Sequence, residues 1–231
     1  MNKKMRRAVI LMTIAVLLVA GFFYYQYRQS NTRQALLQKS MELAREGSYA
    51  DAARTIDKAL TVKQSGTDLS DEALYLKKSE YLQKSGDTEQ AMSIVMLVIK
   101  NTQEGQKEFD DAWARAVSIL SEEEEFDTLA SLLEGSGMES VKSRYYNYLV
   151  YDPVFRDLPG VYHKELLLII ESQGVGSVFY TIDGSDPTEK SNLYTGGILL
   201  RPGIFTVKTM FVNRYGLRSN IVTGTYQILD D

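Results

Sequence analysis

YTIDGSDPT, residues Tyr180 to Thr188, is the stretch on which the reading of this chain turns. An alternating run, SVFYTID at 177–183, enters it as a strand. Asp183 and Ser185 can fold back onto nearby backbone N–H groups, and Gly184 permits positive φ. Pro187 keeps the strand ladder from continuing. Asp183 and Asp186 could also be read as a calcium site, but two carboxylates supply too few ligands, so the spacing is read as turn architecture.

Downstream, Gly197 to Leu200 is a short apolar run, and GIFTVKTMFV at 203–212 and SNIVTGTYQI at 219–228 alternate as strands. Upstream, Pro153 and Pro159 end the helical periodicity, and ELLLIIES at 165–172 reads as a fully buried strand. Six or seven short strands over 151–231 predict a β-sandwich of immunoglobulin-like type.

The same residues closely resemble the C-terminal domain of chitobiase and β-hexosaminidase-type proteins, the FN3-associated domain. The resemblance rests on Pro153-Val154-Phe155, Gly160-Val161-Tyr162, Tyr180 to Thr188, Tyr194 to Leu200, Gly203 to Thr209 and Ser219 to Ile228. Gly197 stands where the family usually has proline. In glycosidases such domains accompany a separate catalytic barrel, and the rest of this chain offers none. What the resemblance implies is a binding or spacer module. Tyr162, Tyr194 and Tyr215 are candidate contacts for a cell-wall glycan, although tyrosines in small β domains more often serve packing.

At the other end, AVILMTIAVLLVAGFFYY at 8–25 carries no charge. Eighteen helical residues span roughly 27 Å, close to the thickness of a hydrocarbon core. Phe22, Phe23, Tyr24, Tyr25 and Tyr27 form an aromatic belt at one end. Lys3, Lys4, Arg6 and Arg7 precede the run and favour a cytoplasmic N-terminus over 1–7. A cleaved signal peptide is the rival, but Val19-Ala20-Gly21 sits inside the apolar run and is followed by bulky aromatics. The third alternative is a buried helix of a soluble fold. The expectation is a signal anchor over 8–27 in a single-pass protein of a bacterial cell membrane, with the bulk outside the cytoplasm.

Between these ends, residues 33–150 read as helical pairs. GSYADAARTIDKAL at 47–60 aligns with GDTEQAMSIVMLVI at 86–99, and EEFDTLASLL at 124–133 is a weaker third copy. A closing helix is expected over 138–150. The array resembles the tetratricopeptide repeat family through Gly47 and Gly86 at the turns and Ala52 and Ala91 in the second helices. Ser40 and Ser79 match small residues at first-helix contacts, while Val98 and Val117 depart, and the terminal proline is missing. The resemblance implies a concave face for a protein partner, built around Leu37, Met41, Arg45, Leu76, Glu80, Lys84, Ala114 and Ser118. These positions are mainly apolar or mixed, so the peptide-carboxylate clamp of some members is not expected.

Composition narrows function further. The chain has 231 residues, no cysteine and one histidine, His163. Thiolate metal sites, a cysteine nucleophile and a lipid-modified cysteine are excluded, and a His-based zinc site is implausible. No basic footprint points to nucleic acid, because dispersed Lys and Arg are outnumbered by acids. Glu122 to Glu125 read as a solvated connection and Trp113 as core. Neither catalytic residues nor a cofactor site are expected. The overall expectation is a multidomain α-then-β chain: transmembrane helix, tetratricopeptide-like array and immunoglobulin-like sandwich. Its expected role is a non-enzymatic envelope adaptor that binds a protein partner. The alternatives are a surface carbohydrate-binding module on a helical stalk, or an accessory subunit of an envelope enzyme complex.

Overall fold

The computed structural model describes residues 3–65 and 69–230, with backbone alone for 3–10. The side chains of Lys3, Lys4, Arg6 and Arg7, on which the orientation argument rests, lie outside the described residues. The chain divides into two compact units, Met1–Ile119 and Leu120–Asp231.

The first unit opens with α1 (Lys3–Ser30), followed by α2 (Arg33–Arg45), α3 (Tyr49–Thr61), α4 (Asp71–Lys84) and α5 (Thr88–Asn101). α6 (Lys107–Glu122) crosses from the first unit into the second. From Leu11 to Ser30, α1 is an apolar helix long enough to cross a membrane, and none of that span is buried. Leu17, Phe23 and Tyr27 are each about two-thirds exposed. Among the described residues α1 is not packed as the buried helix of a soluble fold would be, and its length and composition fit a membrane-crossing segment.

Helices α2 to α5 pack in sequence, α2 on α3, α3 on α4 and α4 on α5. Thr32, Ser70 and Asp87 cap the N-termini of α2, α4 and α5 by accepting from Ala35, Ala73 and Gln90 N–H. The alignable small residues lie where helices meet: Ser40, Ala52, Ala59, Ser79 and Ala91 are all fully buried. Larger groups there would force the axes apart. Two bonds cross one repeat length of 38 residues: Arg33 donates to Asp71, and Ser70 Oγ donates to Glu108 Oε1 at 2.9 Å. Trp113 is buried, edge-on to Phe109 with ring centroids 6.4 Å apart.

The turns joining α2 to α3 and α4 to α5 use one device. Gly47 N–H reaches Ala44 O while Ser48 N–H reaches Leu43 O, and Gly86 and Asp87 repeat the pattern on Gln83 and Leu82. Both glycines are left-handed, at φ 80° and 91°. At the end of α6, Glu124 N–H reaches Ser121 O and Glu125 N–H reaches Leu120 O, so the same turn closes on Glu124 at φ 58°. It is the one non-glycine with positive φ among the described residues. The left-handed region costs a side-chain-bearing residue about 1–2 kcal/mol. Glu124→Gly should therefore raise stability by about 1 kcal/mol, after the entropy that glycine gains in the unfolded chain is subtracted. A thermal melt should show Tm up by about 4 °C. An unchanged or lower Tm would count against the strain.

The second unit continues with α7 (Phe126–Gly135) and α8 (Glu139–Arg144), then a 3₁₀ turn at Tyr146–Tyr148. Residues 138–150 are thus α-helical for only their first part. Tyr148 leaves the α-helix to join a three-ring cluster, 4.9 Å from Tyr215 and 6.4 Å from Phe126, with Phe126 and Tyr215 4.4 Å apart.

Nine short strands follow: β1 (Val154–Phe155), β2 (Gly160–Tyr162), β3 (Leu166–Leu168), β4 (Ile170–Glu171), β5 (Gly176–Thr181), β6 (Asn192–Leu193), β7 (Ile198–Leu200), β8 (Gly203–Asn213) and β9 (Val222–Ile228). A five-stranded sheet has the order β2-β9-β8-β5-β6, with β2 parallel to β9 and the other pairs antiparallel. β1 pairs with β4 and β3 with β7. One core joins them: Val178, Val207, Phe211, Tyr226 and Ile228 from the large sheet meet Phe155, Leu168, Ile170 and Leu200 from the short pairs.

The expectation of a fully buried strand over 165–172 is corrected. The stretch is two short strands broken at Ile169; Leu168 and Ile170 face the core and Leu167 is 56% exposed. Leu167 stands opposite Leu199 and occupies the space a side chain at Gly197 would need. Its apolar character serves an outer face, where alternation is hidden by leucine on both sides.

Candidate functional site

A polar site lies within the helical unit, where the C-terminal half of α2, the start of α3 and α4 line an open pocket of about 220 Å³. Met41, Ala44, Arg45, Tyr49, Lys77, Glu80, Tyr81 and Lys84 line it. Helical periodicity explains the set: 41 and 45 share one face of α2, and 77, 80, 81 and 84 share one face of α4. Glu80 is the centre of charge. Lys77 Nζ donates to its Oε2 at 2.7 Å and Lys84 Nζ to its Oε1 at 2.8 Å. Partial burial pushes the Glu80 carboxyl up, but the hydrogen bonds and charges of the two lysines outweigh it and hold the group below its ordinary value.

Two aromatic rings extend the arrangement. Lys84 Nζ lies 5.7 Å from the Tyr49 ring centroid, and Lys77 Nζ lies 5.3 Å from that of Tyr81. Arg115 bears on Lys84 as a further positive charge, and its Nη2 donates to Ser79 O at 3.2 Å. Arg45 makes no ion pair among the described residues and is exposed. Three cations around one carboxylate leave the lining with a net positive charge.

Four of the eight expected groove residues, Met41, Arg45, Glu80 and Lys84, come together here. Leu37 and Leu76 are half-buried on the same helices but outside the pocket lining, and Ala114 and Ser118 lie on α6. Ala44, Tyr49, Lys77 and Tyr81 were missed. The i, i+3 and i, i+4 spacing of Lys77-Glu80-Lys84 was a usable signal. Tyr49 was hidden because it reaches the site only by way of the turn at Gly47.

In the second unit the three candidate sugar-contact tyrosines stand apart and carry structural contacts. Tyr162 OH donates to Leu158 O at 2.6 Å and its ring lies 6.3 Å from Tyr226. Tyr194 OH accepts from Ile170 N–H at 3.0 Å, edge-on to Tyr180. Tyr215 is stacked in one cluster with Phe126 and Tyr148. Tyr226, buried in the core, donates to Asp157 O at 2.9 Å, and burial pushes its hydroxyl up to about 12. A second pocket, about 250 Å³, has Asp127, Glu134, Asp152 and Arg218 in its walls. Arg218 is held by Glu189 at 2.6 Å, and Asp152 by Asn220 N–H at 2.9 Å.

At the turn of 180–188, Asp183 Oδ1 accepts from Ser185 N–H at 3.0 Å, and Gly184, at φ 83°, donates to Thr206 O. The Ser185 hydroxyl holds the Asp183 carboxyl below its ordinary value. Asp186 pairs with Lys208 at 2.6 Å. The Asp183 carboxylate thus folds the turn on itself, and that of Asp186 ties it to β8.

No curated protein matches the sequence. The family model described as Fn3 associated matches residues 168–226, from the end of β3 to the middle of β9. The strands between β3 and β9 are therefore similar to an FN3-associated domain.

Proposed function

We propose that this chain is a non-enzymatic adaptor of a bacterial cell envelope, anchored by α1, which captures a protein partner on its helical repeats. In this reading the repeats are tetratricopeptide-like, the FN3-associated domain is an immunoglobulin-like spacer or second interaction module, and the N-terminus is cytoplasmic. The observation that carries the reading is the pocket of α2 to α4. A buried-edge carboxylate is held by two lysines, Arg45 stands free beside it, and two tyrosine rings supply flat apolar walls. Such a surface suits an acidic peptide segment: carboxylates add to Arg45, Lys77 and Lys84, and aliphatic stems lie on Tyr49 and Tyr81.

The repeat reading draws support from the left-handed glycines at 47 and 86 and the buried small residues at 40, 52, 79 and 91. The test is in-cell crosslinking followed by capture on the full chain. Arg45→Glu with Lys84→Glu should lower recovery of the crosslinked partner at least tenfold, since two attractive contacts become repulsive. Changing Tyr162 or Tyr194 to Phe should leave recovery intact. Undiminished capture by the double charge reversal would overturn the assignment of this face.

A further inference from the structure

The two aligned second helices, α3 and α5, bury matching faces but present different outer ones. On α3 the outward positions hold Arg54, Asp57 and Lys58, a polar surface. At the aligned positions α5 holds Ser93, Met96 and Leu97, with Met92 beside them. Met96 is 37% and Leu97 44% exposed, although Ala91, Val95 and Val98 already supply the face that packs inward. In the preceding copy Asp57 pairs with Lys78 of α4 at 2.6 Å, while Arg54 and Lys58 are exposed and polar, so packing within the array does not require the apolar Leu97.

The ends of this stripe say what fits it. Glu89 sits in the first turn of α5 and Lys100 in the last. Both are exposed, and neither has an ion pair among the described residues. Steps of 4, 3 and 4 residues from Glu89 through Ser93 and Met96 to Lys100 keep all four on one helical face. The stripe is its own complement when reversed. Laid antiparallel on a second α5 about a two-fold axis between residues 94 and 95, Glu89 of each copy faces Lys100 of the other. Ser93 faces Met96, small against large, and Met92 and Leu97 flank the seam.

We propose that the outer face of α5 is a self-association surface, and that its occupant is α5 of a second copy of this chain in a two-fold antiparallel pair. An isologous pair needs this kind of self-complementarity. A four-turn helix seam is smaller than a standard interface of about 1,200–2,000 Å², so the pairing is weak in dilute solution. Confinement of both copies to one membrane raises their effective concentration and makes it populated. That last point rests on α1 as an anchor, which vesicle flotation reads separately.

The chain has no cysteine, so a single introduced one reports without background. Full-length protein carrying Ser93→Cys is reconstituted in phosphatidylcholine vesicles and oxidised. The residue-93 positions flank the two-fold axis, so a disulfide-linked dimer should form. Lys58→Cys, at an aligned outward position of α3, should stay monomeric. Lys100→Glu in the Ser93→Cys background should cut the crosslinked fraction roughly tenfold, since two ion pairs become two repulsions. Adding Glu89→Lys should restore it, because the pair is swapped and not lost. Leu97→Lys should reduce it as well while helix content by circular dichroism is kept. Protein that floats with vesicles but gives no dimer from Ser93→Cys overturns the proposal. So does equal crosslinking at residue 58, or indifference to Lys100→Glu.

Discussion

Phe211→Ala should remove about 3–5 kcal/mol from the unfolding free energy of the β unit, the largest loss expected from any single side chain there. Phe211 is fully buried on β8, at the centre of the core shared by the large sheet and the short strand pairs. Its ring fills space that two glycines leave. A Cβ built on Gly174 would lie 3.6 Å from the ring, and one on Gly176 only 2.7 Å. Truncation opens a cavity that the paired backbones of β5 and β8 cannot close, because their register fixes the spacing. Gly176→Ala should fail as a rescue in the Phe211→Ala background. The added methyl would still meet the Val212 carbonyl oxygen and, at 2.8 Å, Asn213 Cα, which are backbone and cannot rotate away. Denaturant unfolding followed by amide exchange on β5, β8 and β9 checks both. A loss under about 1 kcal/mol for Phe211→Ala, or recovery in the double variant, would refute the packing argument.

Removal of residues 1–30 should move the protein entirely from the membrane pellet to the supernatant. Every residue described from Leu11 to Ser30 is exposed on α1, and the span meets the length and hydropathy of a membrane-crossing helix. Among the described residues α1 has its main contact with the array at α2, and its loss takes no core residue from α2 to α5. A point version isolates insertion from length. Leu17→Arg with Leu18→Arg places two charges near mid-span, each opposed by about 2.5–3.5 kcal/mol. Both versions should lose resistance to alkaline carbonate extraction. Persistence of the truncated chain in washed membranes would show that another part of the molecule holds it there.

The helical pairs could be read from sequence because their determinants are local. A left-handed glycine ends α2 and α4, and small residues mark each close approach, so Gly47 with Ala52 and Gly86 with Ala91 stand out at a fixed spacing. The third turn was harder to see because it keeps the geometry and discards the residue: Glu124 carries the conformation that glycine carries elsewhere. Burial was less legible than element type. Leu167 and Leu168 are chemically identical neighbours, one on an outer face and one in the core, and only the pairing of β3 with β7 separates them. The pocket was half legible for the same reason. Periodicity along α2 and α4 found Met41, Arg45, Glu80 and Lys84, whereas Tyr49 belongs to a helix that joins the site by tertiary packing. Tyr215 shows the limit for the sugar-contact candidates, since its stacking partners Phe126 and Tyr148 come from segments distant in sequence.

β9 lies between β2 and β8, and β2 has no other neighbour in its sheet. A ribosome delivers β2 first and β9 last, so the early strand must wait, unpaired, until residue 228 has cleared the exit tunnel. Assembly of this module is thereby deferred until its last strand has been translated.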